Sequence, residues 1–379
     1  MPIVEEVNAI SEIPEALWQT LAPTPYPFLQ RGFLQALEDS HSVSASTGWK
    51  PRHLLVKDGA TLLAFLPMYE KSHSYGEYVF DWAWADAYQR HGFPYYPKLV
   101  TAIPFTPVAG PRWLLQPGVD PKEILTLLLN KISEISDAER ISGWHVLFPD
   151  DSVVSALSKQ PLIERNACQY RWHNAGYNSF DDFLAVLSSR KRKNLRKERR
   201  DVQAQGFTFH TVAGKDMTPE LWQHFYRFYQ STYMIRGMQG YLTPSFFTLI
   251  QEGIPDSFFL VFAELDQTLV AGAIFFTGED TLYGRYWGCD ADYMNLHFET
   301  CYYQGIDYCI NNNITVFDAG AQGEHKLKRG FYPVITKSFH QIAHSGFAEA
   351  IASFCYEEKD HVSTYAQEAE TLLPYKKDH

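Results

Sequence analysis

Hydrophobic and polar positions along this 379-residue chain run through two successive rounds of one pattern. In the first round, Phe28, Phe33, Leu34 and Leu37 recur at helical spacing and predict a helix over 27–40. Two apolar runs, 53–57 and 61–69, flank Asp58-Gly59, a dipeptide suited to a tight hairpin turn. A third strand is expected within 77–82, then an irregular Pro- and Tyr-rich stretch over 90–113. An amphipathic helix over 121–138 and a strand over 143–148 close the round.

The second round opens with a long helix from Ser179, where Asp182 completes a capping pattern, to just before Gly206. A short alternating strand follows at 207–211. Thr218-Pro219 and Thr243-Pro244 each set a capping residue before a first-turn proline, so a helix is expected after each. A hairpin over 257–265 and 268–276, a strand over 281–288, a helix over 297–312 and a strand over 314–318 complete it. Both rounds read as hairpin, third strand, helix, strand. The order implies two domains, 1–165 and 166–379, in an α/β (α+β) fold with mixed, mostly antiparallel sheets flanked by helices.

The chemistry-bearing residues concentrate in the second round. On the 297–312 helix, at about 100° per residue, Phe298, Tyr302, Ile306, Cys309 and Ile310 share an arc that must face the sheet. Glu299 shares that arc in the first turn, where it either caps the helix or serves catalysis; His297, Gln304 and Tyr308 fall opposite. His297 and Glu299 diverge by roughly 200° and cannot grip one ion, so no metal is expected. After the last strand comes Asp318-Ala-Gly-Ala-Gln322-Gly-Glu324-His325-Lys326, with Arg329 close behind. Its glycines allow close backbone approach, and its polar residues supply donors, acceptors and charge.

Two further segments stand out. The run from Arg190 to Arg200 holds eight cations in eleven residues, with Leu184, Leu187, Leu195 and Val202 as a buried stripe. Its basic face, carrying Arg190, Lys191, Arg192, Lys193, Arg196, Lys197 and Arg200, either is merely solvated or meets a polyanion such as tRNA, a nucleotide tail or an anionic lipid surface. In the first round Asp81, Trp84, Asp86, Tyr95 and Tyr96 mix acids with aromatics, as a plain aromatic core or an amine- or sugar-binding wall would.

Composition narrows the classes. A net charge of -11 argues against a wholly nucleic-acid-binding surface, so the basic run is a local exception. Five cysteines without a C-x-x-C pair suit free thiols in a reducing compartment. No stretch approaches the roughly 20 apolar residues a span requires, and the first residues lack a basic-then-apolar leader, so a cytoplasmic location is expected. Phosphate-loop, dinucleotide-fold and nucleophile-elbow glycine motifs are missing, as is a (Q/R)-x-x-G-x-(G/A) pyrophosphate loop.

Several strings carry a family resemblance: Asp81-Trp-Ala-Trp-Ala-Asp86, Tyr95-Tyr-Pro-Lys98, Pro104-Phe-Thr-Pro107, the basic run, Leu296-His-Phe-Glu299 and Gly320-Ala-Gln-Gly-Glu-His-Lys326. Through them the chain resembles the FemAB-like predicted N-acyltransferases, a bacterial peptidoglycan-related group within the GNAT superfamily. The resemblance covers nearly the whole chain and implies two GNAT-like domains in tandem. It also implies an N-acyltransferase, or aminoacyltransferase, joining an activated carboxyl to an amine, with a cell-wall precursor as a candidate acceptor. No cofactor is firmly implied; the donor would be aminoacyl-tRNA or acyl-CoA, and the missing pyrophosphate loop departs from coenzyme A-dependent members.

Amide formation needs a proton acceptor and positive charge near the developing oxyanion. Glu299 or His325 is expected to accept the proton, with Lys326 and Arg285 stabilising oxyanion or phosphate. Asp81, Trp84, Asp86, Tyr95, Tyr96, His297, Tyr303, Gln304, Asp318, Gln322, Glu324 and Arg329 are expected to contact substrate. The rival reading is a non-catalytic module that holds a cell-wall fragment, nucleotide or peptide in the same cleft.

Overall fold

The computed structural model describes residues 1–235, 237–321 and 323–376. These form two compact units, Met1–Ala167 with Ile335–Ser363, and Cys168–Val334 with Thr364–His379. The first change of unit lies close to the expected 165/166. The expectation that everything beyond 166 stays in the second domain is corrected: Ile335–Ser363 returns to the first unit. The cause is sheet pairing, because Ser338–Ile342 pairs antiparallel with Gly143–Leu147 and buries Phe339 in the first core.

In the first unit the hairpin forms as expected, His53–Asp58 against Thr61–Leu66, with Gly59 at φ 60° in the turn. Ile3–Val7 and Leu114–Leu115 extend it on either side to four strands. The third strand is not at 77–82. That segment is a loop entering the helix Trp82–Arg90, and the strand is Lys98–Thr101, inside the stretch expected to be irregular. Lys98–Thr101 lies parallel to Gly143–Leu147, connected through the helix Pro121–Glu139. Asp120 caps that helix through Lys122 N, and Leu125, Leu128 and Ile132 pack with Leu54, Val56, Leu99 and Trp144.

The second unit repeats this plan with a longer sheet, in which Thr208–Ala213, Phe258–Leu265, Thr268–Thr277 and Thr281–Cys289 are successively antiparallel. Asp266 and Gln267, both at positive φ, make the tight turn of its hairpin. Val316–Asp318 then joins Thr281–Tyr283 in parallel, and its other edge meets Arg171–His173. Both Thr-Pro starts are real, opening Pro219–Met234 and Pro244–Gly253. The first of these helices lies so close to the sheet that a Cβ on Gly288 would sit 1.6 Å from Phe228 O. Phe275, Tyr303, Ile306, Phe317 and Phe331 form the core beneath.

Two expected helices differ from plan. The 179–206 helix is broken into Phe180–Ala185 and Ser189–Ala204. At the break, Ser188 N donates to Pro374 O and Lys376 N donates to Val186 O, so the C-terminal segment satisfies backbone groups a continuous helix would have used. The 297–312 helix begins at Leu296 but widens into a π turn over Glu299–Tyr303 before Gln304–Asn311 resumes α geometry. Among the described residues no helix is long and apolar enough to cross a membrane.

Candidate functional site

Where the two parallel strands of the second unit part, a small cavity opens. Val316–Asp318 pairs with Thr281–Cys289 only as far as Tyr283; farther along, Trp287 O and Cys289 O accept from the Thr232 and Ser231 hydroxyls of the Pro219–Met234 helix. A cavity of about 80 Å³ lies there, lined by Gly284, Arg285, Trp287, His297, Cys301, Tyr302 and Ala319. The π turn swings Cys301 and Tyr302 toward this space. Burial pushes the Cys301 thiol well above its ordinary value, so it is a protonated wall of the cavity.

The loop after Asp318 folds over the same place. Asp318 is 1% exposed and accepts from Gly320 N at 3.1 Å and Arg171 Nε at 3.2 Å, which fixes the start of the turn. Gly320 and Gly323 both hold positive φ, which lets the chain double back into the 3-10 turn Glu324–Arg329. Lys326 points inward, only 1% exposed, and donates from Nζ to Gly320 O at 2.5 Å. Burial pushes its ammonium down to about 8, with Asp318 opposing and Arg285 adding to the fall. His325 shares a 2.8 Å hydrogen bond between Nε2 and the Tyr302 hydroxyl. Burial and the charges of Arg329, Lys326 and Lys328 lower its imidazole to about 4, so it is neutral at pH 7. His297, 6.1 Å from His325 between ring centroids, is likewise pushed down to about 4 by burial and then by His325, Arg329 and Lys326.

A second polar layer lies behind the first. Glu299, 3% exposed, accepts two bonds from Arg199 (Nε 3.1 Å, Nη2 2.8 Å) and one from Gln304 Nε2 at 2.9 Å. Arg199 also reaches Asp307 at 2.7 Å and lies 4.3 Å from the Phe180 ring centre. Glu299 is therefore engaged on both oxygens and ties the basic helix to the π turn. Gln304 reaches it because the π turn brings residues five apart together; a uniform helix would place Gln304 on the far side, as expected from the sequence. Arg329 bonds Tyr303 OH, His325 O and Glu198 Oε2, and stacks 3.4 Å from the Phe298 ring centre. Tyr303 also donates to Glu198. Glu324 accepts from Tyr365 OH at 2.9 Å, which in turn meets Tyr170 OH.

Arg285 and His297 thus line the cavity, His325 stands behind its wall through the bond to Tyr302, and Lys326 is held under the loop by Gly320 O, whereas Glu299, Tyr303, Gln304 and Arg329 form the supporting lattice. Asp318 anchors the loop, Glu324 faces the C-terminal helix, and Gln322 lies outside the described residues. Sequence reasoning missed Tyr302 as the partner of His325, and Glu198, Arg199 and Asp307 as the lattice. Glu198 and Arg199 were visible only as members of the basic run, and only a fold could show that they face inward.

The first unit holds its own buried polar cluster. Lys98, fully buried, donates to Glu77 at 2.8 Å, to Ser74 at 3.0 Å and to Asp81. Tyr95 OH donates to Asp81 at 2.6 Å, and Tyr96 OH meets Ser74 Oγ at 2.8 Å. Burial raises the Glu77 carboxyl to about 7 despite Lys98. Burial acts on Asp81 in the same direction, but Lys98 prevails and holds that carboxyl well below its ordinary range. Trp84 is buried against His340, whereas Asp86 lies on the exposed side of its helix, paired with Arg90. Of the five expected residues, four therefore gather here and Asp86 does not. Lys98, Glu77 and the His145–His340 pair, Nδ1 to Nδ1 at 2.7 Å, complete the cluster.

Comparison with known proteins agrees with this architecture. The sequence profile of the FemAB-like family, described as peptidoglycan biosynthesis/recognition, matches residues 9–377. Among solved structures, FemX superposes with a TM-score of 0.53 at 14% identity, covering 92% of this chain and 100% of that one. The C-terminal domain of a putative lysylphosphatidylglycerol synthetase from Agrobacterium fabrum gives a TM-score of 0.52 at 9% identity, covering 86% and 90%. At such identities the likeness speaks for the fold and not for a substrate. No curated protein sequence matches significantly. With a family profile spanning nearly its whole length, the chain belongs to the FemAB-like family of peptidoglycan biosynthesis and recognition proteins.

Proposed function

We propose that the second unit is an N-acyltransferase that joins an activated carboxyl group to an amine, with a cell-wall precursor as acceptor. The observation that carries this reading is the placing of consecutive residues His325 and Lys326 beside one cavity, the first bonded to Tyr302 in its wall. The first is a neutral imidazole at pH 7 and the second a buried ammonium. Attack of an amine on an acyl carbon builds negative charge on the carbonyl oxygen and positive charge on nitrogen. Lys326, with Arg285 beside it, offers cationic donors to the oxygen. His325 takes the proton released by the nitrogen and passes it to the leaving group, the thiol of coenzyme A or the ribose hydroxyl of tRNA, as the intermediate collapses and the acyl–sulfur or acyl–oxygen bond breaks; the Tyr302 hydroxyl fixes the ring's orientation.

The parting of the strands supports a place for the donor. The donor is either an acyl-CoA or an aminoacyl-tRNA. The family description also includes recognition, which favours as a second reading a module that binds a cell-wall fragment without chemistry. Lys326→Met and His325→Ala decide between them. An acyltransferase loses turnover by about 10²-fold or more while still binding acceptor; a recognition module shows no turnover to lose, and at most weaker binding.

A further inference from the structure

The basic run of the sequence is only partly absorbed by the site. The helix Ser189–Ala204 points Glu198 and Arg199 inward, and keeps Leu195 and Val202 buried at 2% and 0% exposure. Its outward cations line a groove of about 850 Å³ together with Phe180 and Asp181 of the preceding helix. Arg192, Arg196 and Arg200 succeed one another along that groove at four-residue intervals, a rise of about 6 Å each. That interval is close to the distance between successive phosphates of a nucleic-acid strand. The N-cap Ser188 makes no side-chain cap bond, so the positive end of the helix dipole adds to the same field.

We propose that this groove binds a single phosphodiester strand, with Arg192, Arg196 and Arg200 each engaging one phosphate and Phe180 edging the groove where a base can stack. Three features favour a strand over other phosphate sources. Three cations in line suit three successive phosphates better than a single diphosphate. Insertion into a lipid surface requires an exposed apolar face, and the buried apolar residues of this helix, Leu195 and Val202, are spent on the core. The overall charge of -11 leaves the groove as a local positive exception, so the field steers a strand to this face. Asp181, 76% exposed, pairs with Arg196 at 2.8 Å, a surface contact weak enough for a phosphate to displace. Arg199 lines the groove and simultaneously holds Glu299, so a bound strand lies directly behind the π turn.

This inference concerns binding alone and stands whether or not the neighbouring cavity transfers acyl groups. The test is fluorescence anisotropy of a labelled single-stranded RNA 12-mer with the full-length protein. Three phosphate contacts predict a slope of log affinity against log salt of about -2.1, which is about an 18-fold loss between 50 and 200 mM salt. Arg196→Glu with Arg200→Glu should flatten the slope to about -0.7, and Asp181→Asn should tighten binding. All three changes are at exposed positions, and circular dichroism confirms that the variants are folded. Wild-type affinity in the double variant overturns the proposal. So does displacement of the RNA by equimolar inorganic pyrophosphate, which would mark a small-phosphate site. Sedimentation with phosphatidylglycerol vesicles in the absence of RNA binding would overturn it too, and mark a membrane-facing surface.

Discussion

Arg199 is the residue whose removal should be felt most widely in the second unit. It donates to both oxygens of Glu299 and to Asp307, and it stacks on Phe180. Arg199→Met keeps the bulk of the stem and removes the charge, leaving Glu299, 3% exposed, beside another carboxylate. Taking one partner from a buried ion pair costs about 3–5 kcal/mol. Here the Arg199 and Asp307 side chains are 21% and 30% exposed, so water screens part of the loss and the lower end, about 3 kcal/mol, is expected.

The deficit should depend on pH. Burial already raises the Glu299 carboxyl above its ordinary value against the opposing bonds of Arg199 and Gln304, and losing Arg199 raises it further. A carboxyl that titrates higher folded than unfolded destabilises as pH climbs past the unfolded value, and does so fully above the folded one. The variant should therefore recover relative to wild type as pH falls from 7.5 toward 5, and Glu299→Gln added to Arg199→Met should restore part of the loss. Urea unfolding of the three proteins at both pH values measures this. A single variant within 1 kcal/mol of wild type, or a deficit unchanged across that range, refutes the clamp.

Other outcomes follow from the same geometry. Tyr302→Phe removes the hydroxyl that orients His325 and should lower kcat about 10-fold with little change in KM, read by steady-state kinetics. Lys326 must be protonated to act, so kcat/KM should fall as pH rises through about 8; Lys326→Arg should abolish that alkaline limb in the ratio to wild type. In the first unit, Lys98→Met takes from Asp81 and Glu77 the buried ammonium that bonds both and should cost about 3–5 kcal/mol in denaturant unfolding. Gly288→Ala drives a Cβ into the Phe228 carbonyl and should destabilise by more than about 3 kcal/mol, or prevent soluble folding.

Much of the architecture was legible because local signals decided it. Asp58-Gly59 named its hairpin, and the two Thr-Pro starts named their helices. Asp318 to Lys326 declared itself by its density of glycines and ionisable groups. What escaped depends on partners remote in sequence. The break at 186–188 exists because 374–376 pairs with it, and no local residue announces that. The π turn defeats a helical wheel drawn at a constant angle, which is why Gln304 was assigned to the far side. Lys98 lies in a stretch that reads as irregular, and only the fold makes it a strand residue buried between Asp81 and Glu77. The return of Ile335–Ser363 to the first unit follows from a strand pairing nearly 200 residues apart in sequence, as between His145 and His340.

The central claim is that His325 and Lys326 serve amide formation. Mass spectrometry of a UDP-linked cell-wall precursor, incubated with the protein and either an acyl-CoA mixture or aminoacyl-tRNA, tests it most directly. The account predicts an acceptor heavier by one acyl or aminoacyl group, formed by the wild type and lost in folded His325→Ala and Lys326→Met. Equal product from those variants, or an unmodified precursor with every donor, would contradict it.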